Sequence, residues 1–187
     1  MDLALRNLLR LALTALLATS AIQTCHAQAD PDAEYRVKAA FLYKFGSFVE
    51  WPSQAFARPD SPLAIGVIDA DDLADELGRI VAGRSVNGRS IAVRKLHRGD
   101  SVAGLHILFI GRADAGRVAD IVAGARGQPL LTVTESEDGI EHGSSINFVV
   151  VDDKVRFDVA LPSSDPGQIK ISARLLAVAR KVIGKSS

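Results

Sequence analysis

Leu63-Ala-Ile-Gly-Val-Ile-Asp-Ala-Asp-Asp-Leu-Ala-Asp-Glu-Leu-Gly-Arg-Ile-Val81 is the stretch on which the fold turns. Its first six residues are a short apolar run suited to a buried strand. Asp69-Ala-Asp-Asp72 then sits where a helix would start, since carboxylates are stabilising at the positive end of a helix. Leu73, Leu77, Ile80 and Val81 follow with helical spacing.

Downstream the pattern repeats. Gly83 to Gly88 is a turn cluster before a second strand, Ile91-Ala-Val-Arg-Lys95. Leu105 to Ile110 is the third strand, a helix is predicted over roughly 114–123, and the segment 127–134 supplies a fourth strand. Strand and helix in alternation favour a mostly parallel sheet wrapped by helices. Ile146 to Val151 and Lys154 to Val159, joined by Asp152-Asp153, read as a hairpin added to one edge. Ile171, Leu175, Val178 and Val182 share a helical face, so a closing helix is expected with Gly184 as its stop. The predicted architecture is one α/β domain with Rossmann- or flavodoxin-like layers and strand order 2-1-3-4. The topological switch point then lies between the first and third strands. Asp69, Asp71, Gly111 and Arg112 are the candidate ligand crevice.

Upstream, Tyr35 to Pro52 reads as an amphipathic helix, with Val37, Phe41, Leu42, Phe45, Phe48 and Val49 on one face and Pro52 as its stop. Its second face, with Tyr35, Ala39, Tyr43 and Gly46, is not fully polar, so the helix is covered on most sides or offers that face to a partner. Lys38 and Lys44 fall at angles occupied by the apolar stripe. Each must reach water, pair with a carboxylate such as Glu50 or Asp69, or face a partner. Lys38, Lys44, Glu50 and Trp51 are the candidate partner-binding residues. Ser53 to Pro62 is an extended connector.

Residues 1–29 read as a cleaved secretory signal. Arg6 and Arg10 precede an apolar run from Leu11 to Ile22, and Ala27-Gln-Ala29 is a small-residue cleavage site. Residues 30–187 would be the mature domain. Its formal charge is about −1, because cleavage removes two Arg and one Asp from a balanced chain. A basic footprint for nucleic acid is absent, and so is a polybasic membrane patch. The single cysteine, Cys25, lies inside the signal, which leaves the mature chain without thiol chemistry. The competing reading takes Ile22-Gln-Thr-Cys25 as a lipid-attachment box.

No catalytic constellation stands out. Gly184-Lys-Ser186 lacks the upstream glycine and following helix of a phosphate loop, and no Gly-x-Gly-x-x-Gly follows a strand. The acids after the first strand resemble a receiver pocket, but the third strand ends Phe109-Ile-Gly111 without a phosphate-accepting Asp. His97, His106 and His142 lack the spacing of a local ligand pair. Gly143-Ser-Ser145 is not a nucleophile elbow. No cofactor, metal or enzymatic activity is expected.

Val37-Lys-Ala-Ala-Phe-Leu-Tyr-Lys-Phe45 through Trp51-Pro52, His106-Ile-Leu-Phe-Ile110, Leu130-Leu-Thr-Val133, Ile146-Asn-Phe148, Val155-Arg-Phe157 and Ile169-Lys-Ile-Ser-Ala-Arg-Leu-Leu176 together resemble the YfiR family of periplasmic proteins. The resemblance spans nearly all of the mature chain. It implies a protein that holds an inner-membrane diguanylate cyclase inactive and is itself sequestered by an outer-membrane lipoprotein, with effects on cyclic di-GMP and biofilm formation. A histidine kinase is the other candidate membrane partner, and a second copy of the chain is a further one. The characterised type of YfiR relies on disulfides, so with no cysteine in the mature chain any redox regulation should be absent here. Ala160 stands where the family pattern has Asn, and Pro162 to Gly167 look irregular. The competing class of function is a periplasmic small-molecule carrier or sensor using the crevice.

Overall fold

The computed structural model describes residues 31–97, 99–112, 115–161 and 169–184. The expected signal segment with Cys25, the irregular stretch 162–167 and Lys185-Ser186 lie outside the described residues. In chain order the elements are α1 (Pro31–Phe48), β1 (Val49–Glu50), a one-turn 3-10 helix (Ser53–Ala55), β2 (Leu63–Ile68), α2 (Asp71–Val81), β3 (Ser85–Val86) and β4 (Arg89–Leu96). They continue with β5 (Ile107–Ile110), α3 (Ala115–Ala125), β6 (Leu131–Thr134), β7 (Ile146–Val151), β8 (Lys154–Leu161), β9 (Lys170–Ile171), α4 (Ala173–Val178) and β10 (Lys181–Gly184).

β2 is buried along its whole length and lies between β4 and β5, parallel to both. The eight-stranded sheet runs β10-β8-β7-β6-β5-β2-β4-β3. Its stretch β4-β2-β5-β6 carries the order 2-1-3-4. The sheet is mixed: most neighbouring strands are parallel, as expected, but the β7–β8 hairpin is not its edge. β7 joins β6 in parallel, β8 returns antiparallel, and β10 lies outside β8 in parallel. Asp152 and Asp153, at φ 50° and 56°, make the left-handed two-residue turn that suits the twist of the β7–β8 hairpin. Asn87 and Gly88 do the same between β3 and β4.

Alternation along the strands builds two cores. Ile65, Val67, Ile107, Phe109, Leu131, Val133, Phe148 and Phe157 form one with Leu42 and Phe45 of α1, Leu73 and Leu77 of α2 and Leu175 of α4. Ile68, Leu108 and Ile110 form the other with Val118 and Val122 of α3. α1 is rotated from the predicted stripe: Val37 is 43% exposed, whereas Ala39, Leu42, Phe45 and Gly46 are buried. Gly46 sits at the tight point of this packing: a Cβ there would stand 2.7 Å from Leu63 Cδ2, so a larger residue would have to displace that buried side chain.

The closing segment is not one helix. Ile171 pairs with Val49 in the small β1–β9 ladder, α4 makes little more than one turn, and Lys181 to Gly184 pair with Asp158 to Leu161 of β8. Arg180 donates its backbone N–H to the Phe157 carbonyl and its guanidinium to both oxygens of the buried Asp158, 2.8 Å from Nε to Oδ1. A bidentate ion pair and a strand's worth of hydrogen bonds hold β-branched Val182 and Ile183 extended against their helical spacing. The same β1–β9 ladder ends α1 at Phe48, before Pro52 is reached.

Candidate functional site

The C-terminal ends of β2, β5 and β6 carry two groups of ion pairs, around Lys38 and around Asp69. α1 brings Glu34 and Lys38, one turn apart, over the end of β6, where Glu135 is the first residue beyond the strand. Lys38 is 1% exposed, and its ammonium donates to Glu34 Oε1 and Glu135 Oε2. Arg112, just past β5, donates to Glu34 Oε1 at 2.8 Å and lies 3.8 Å from Glu135 Oε2. Burial pushes the Glu34 carboxyl up, but hydrogen bonds and charge from Lys38 and Arg112 outweigh it and hold the group below the usual carboxylate range. Lys38 therefore takes Glu34 and Glu135 as its partners, not Glu50 or Asp69, and its ammonium is turned inward.

The predicted crevice divides. Asp69 and Gly111 do meet: Gly111 N–H donates to the Ile68 carbonyl at 2.8 Å, and a Cβ on Gly111 would stand 2.4 Å from the Asp69 carbonyl oxygen. Asp69 holds a left-handed φ of 56°, and Arg117 of α3 pairs with its carboxylate. Asp71 is exposed in the first turn of α2 and caps nothing, because Ala70 is the N-cap and no side chain accepts there. Its charge still favours that helix end. Arg112 turns to the α1 side. A groove of about 500 Å³ lies beside Arg117, floored by Ile68, Val102 and Ile121.

The remaining partner candidates lie near the end of α1 and in the residues that follow it. Lys44 is exposed, its ammonium 5.5 Å from the Tyr43 ring centre, and the Arg84 guanidinium lies 5.5 Å from the same ring. Glu50 is exposed opposite Lys170. Trp51 is half-buried and donates its indole N–H to the His106 carbonyl at 3.2 Å.

His106 ties three strand starts together. Its N–H donates to the Ala64 carbonyl, its carbonyl accepts from Leu131, and its Nδ1 accepts from the Ala64 N–H at 3.1 Å. Phe56 stacks on the imidazole at 4.2 Å, and Arg89 lies 3.7 Å over the other ring of that stack. Burial lowers the His106 pKa, against a smaller opposing effect of the Ala55 backbone, and the Arg89 charge lowers it further. A folded value below the ordinary 6.5 means the unfolded chain takes up the proton first as pH falls. Stability is therefore full above about pH 6.5 and declines below it, towards the folded value. Thermal unfolding between about pH 7.5 and about pH 5.5 should show this decline. His106→Asn, which keeps an acceptor for Ala64 but cannot titrate, should flatten it; an unchanged slope would assign the pH dependence elsewhere.

Among the described residues no three His, Cys, Asp or Glu side chains are grouped to hold a metal ion, and no helix is long and apolar enough to cross a membrane. Glu34 and Glu135, the partners of Lys38, escape sequence reasoning. Glu34 carries a signal in its four-residue spacing from Lys38. Glu135 carries one only as the first charge after an entirely buried strand.

The fold and these clusters define a single mixed α/β domain with the Lys38 and Asp69 ion pairs at the carboxyl ends of its parallel strands. Residues 35–180 match the model of the YfiR/HmsC-like family, and the chain belongs to that family. The family is periplasmic and associated with regulating membrane signalling proteins rather than with catalysis. No curated protein matches the chain.

Proposed function

We propose that the protein is a periplasmic, non-catalytic regulator that binds the periplasmic part of a membrane-bound diguanylate cyclase and holds it inactive, thereby lowering cyclic di-GMP and restraining biofilm formation. Residues 1–29 direct export and are cleaved. The observation that carries the reading is the family match, which extends from α1 to Arg180, the residue leading into β10. Lys44 and Glu50 are the exposed members of the candidate partner face, and Trp51 beside them anchors the connector to the sheet. A histidine kinase would use the same surface, and an outer-membrane lipoprotein would compete for the protein.

The test is capture of membrane proteins by the tagged mature chain from detergent extracts of its own host. Recovery of a protein with a diguanylate cyclase output domain is expected, and Lys44→Glu should reduce that recovery without lowering the melting temperature. Recovery of no membrane signalling protein would overturn the reading and favour a small-molecule carrier using the groove beside Asp69.

A further inference from the structure

Beside Lys38 a notch of about 290 Å³ opens between α1 and the loop after β6. Two residues that line it, Glu135 and Ser136, each hold a buried atom with no hydrogen-bond partner among the described residues, Glu135 Oε1 and Ser136 Oγ. The Glu135 side chain is 2% exposed, and only its Oε2 is engaged by Lys38. An ionised carboxylate has acceptor capacity on both oxygens, and leaving one buried and unmet is unfavourable. The group that would complete it is a donor.

Charge narrows the donor to a cation. Glu34, Glu135 and Glu137 line the notch, and Lys38 and Arg112 oppose them. Arg112 differs from Lys38 in being exposed, with 67% of its side chain open to solvent and its guanidinium lying across Glu34 and Glu135. Without that guanidinium, three carboxylates would face one ammonium. The opposite wall is apolar, formed by Phe148, Val149 and Val150, with Val150 46% exposed.

We infer that this notch receives an arginine or lysine side chain of a partner protein, followed by an apolar residue that packs on Val150, and that Arg112 holds the place of that side chain in the free protein. A guanidinium presents a planar fork of donors, which can serve Glu34, Glu135 Oε1 and Ser136 Oγ together once Arg112 swings out. The inference rests on the regulator reading for the identity of the partner, but the recognition chemistry can be tested without one.

The probe is the capped dipeptide N-acetyl-Arg-Val-amide, with N-acetyl-citrulline-Val-amide as its uncharged counterpart. Each is titrated into the wild type, Arg112→Ala and Glu137→Gln by calorimetry and by amide chemical shifts. Arg112→Ala should bind the arginine probe about fivefold tighter than the wild type, the gain expected from removing a partly exposed competing ion pair. Glu137→Gln should bind it more weakly than the wild type, and shifts should centre on Ser136 and Val150. Both variants alter exposed side chains and leave the buried pair intact. No gain in Arg112→Ala, or equal binding of the citrulline probe, would overturn the inference and assign Glu135 Oε1 to a buried water. If the probe fails while membrane capture succeeds, only the notch is wrong; if the probe binds while capture fails, the regulator reading is.

Discussion

Lys38→Met is expected to destabilise the protein by about 3–5 kcal/mol, measured by urea unfolding. Methionine preserves most of the side-chain length, so the loss comes from charge and not from a void. With the ammonium gone, the carboxylate of Glu135 is left buried, met only by Arg112 at 3.8 Å. Removing one member of a buried ion pair leaves an uncompensated charge, which costs more than the pair was worth. The double variant Lys38→Met/Glu135→Gln should therefore recover much of the loss, a coupling that an exposed pair would not show. A change under about 0.5 kcal/mol for the single variant would mean that Lys38 reaches solvent.

Phe45→Ala is expected to cost about 3–5 kcal/mol, the range for emptying a buried aromatic site. Phe45 is fully buried and meets Phe157 edge-on at 5.2 Å and Phe148 in a stacked arrangement at 5.8 Å, so its loss opens the contact between α1 and the β7–β8 hairpin. Lys44→Ala, one residue away on the exposed side, should stay within about 0.5 kcal/mol. The contrast, read from melting temperatures of the two variants, separates the half of α1 that is core from the half that can meet a partner. A mild Phe45→Ala would place the aromatic residues of α1 outside the core.

The candidate site was legible in part, and the division follows the range of the interactions. Gly111 and Asp69 could be placed at one switch point because both lie at strand ends whose order follows from alternating strand and helix. The inward turn of Lys38 could not, because one of its two carboxylates comes from 97 residues away. Periodicity put Lys38 among apolar residues but did not indicate whether water, a partner or a glutamate would meet its charge. The acids at the start of α2 are legible locally and act there through charge, whereas the N-cap itself falls to Ala70, which offers no side-chain acceptor.

Local patterns alone determined the strands β2, β4, β5 and β6, their relative order, the β7–β8 hairpin and the helical character of α1. Those features rest on side-chain periodicity, turn chemistry and the short reach of connections, all of which are written within a few residues of one another. Only the tertiary structure decided which face of α1 is buried, where the closing segment goes and which charges meet. Val178, Val182 and Ile183 satisfy a helical face as well as a strand, and the outcome turns on an unpaired edge of β8 and on Asp158, which accepts Arg180. Where local preference is balanced between two periods, hydrogen bonds and ion pairs offered by distant parts of the chain decide the conformation.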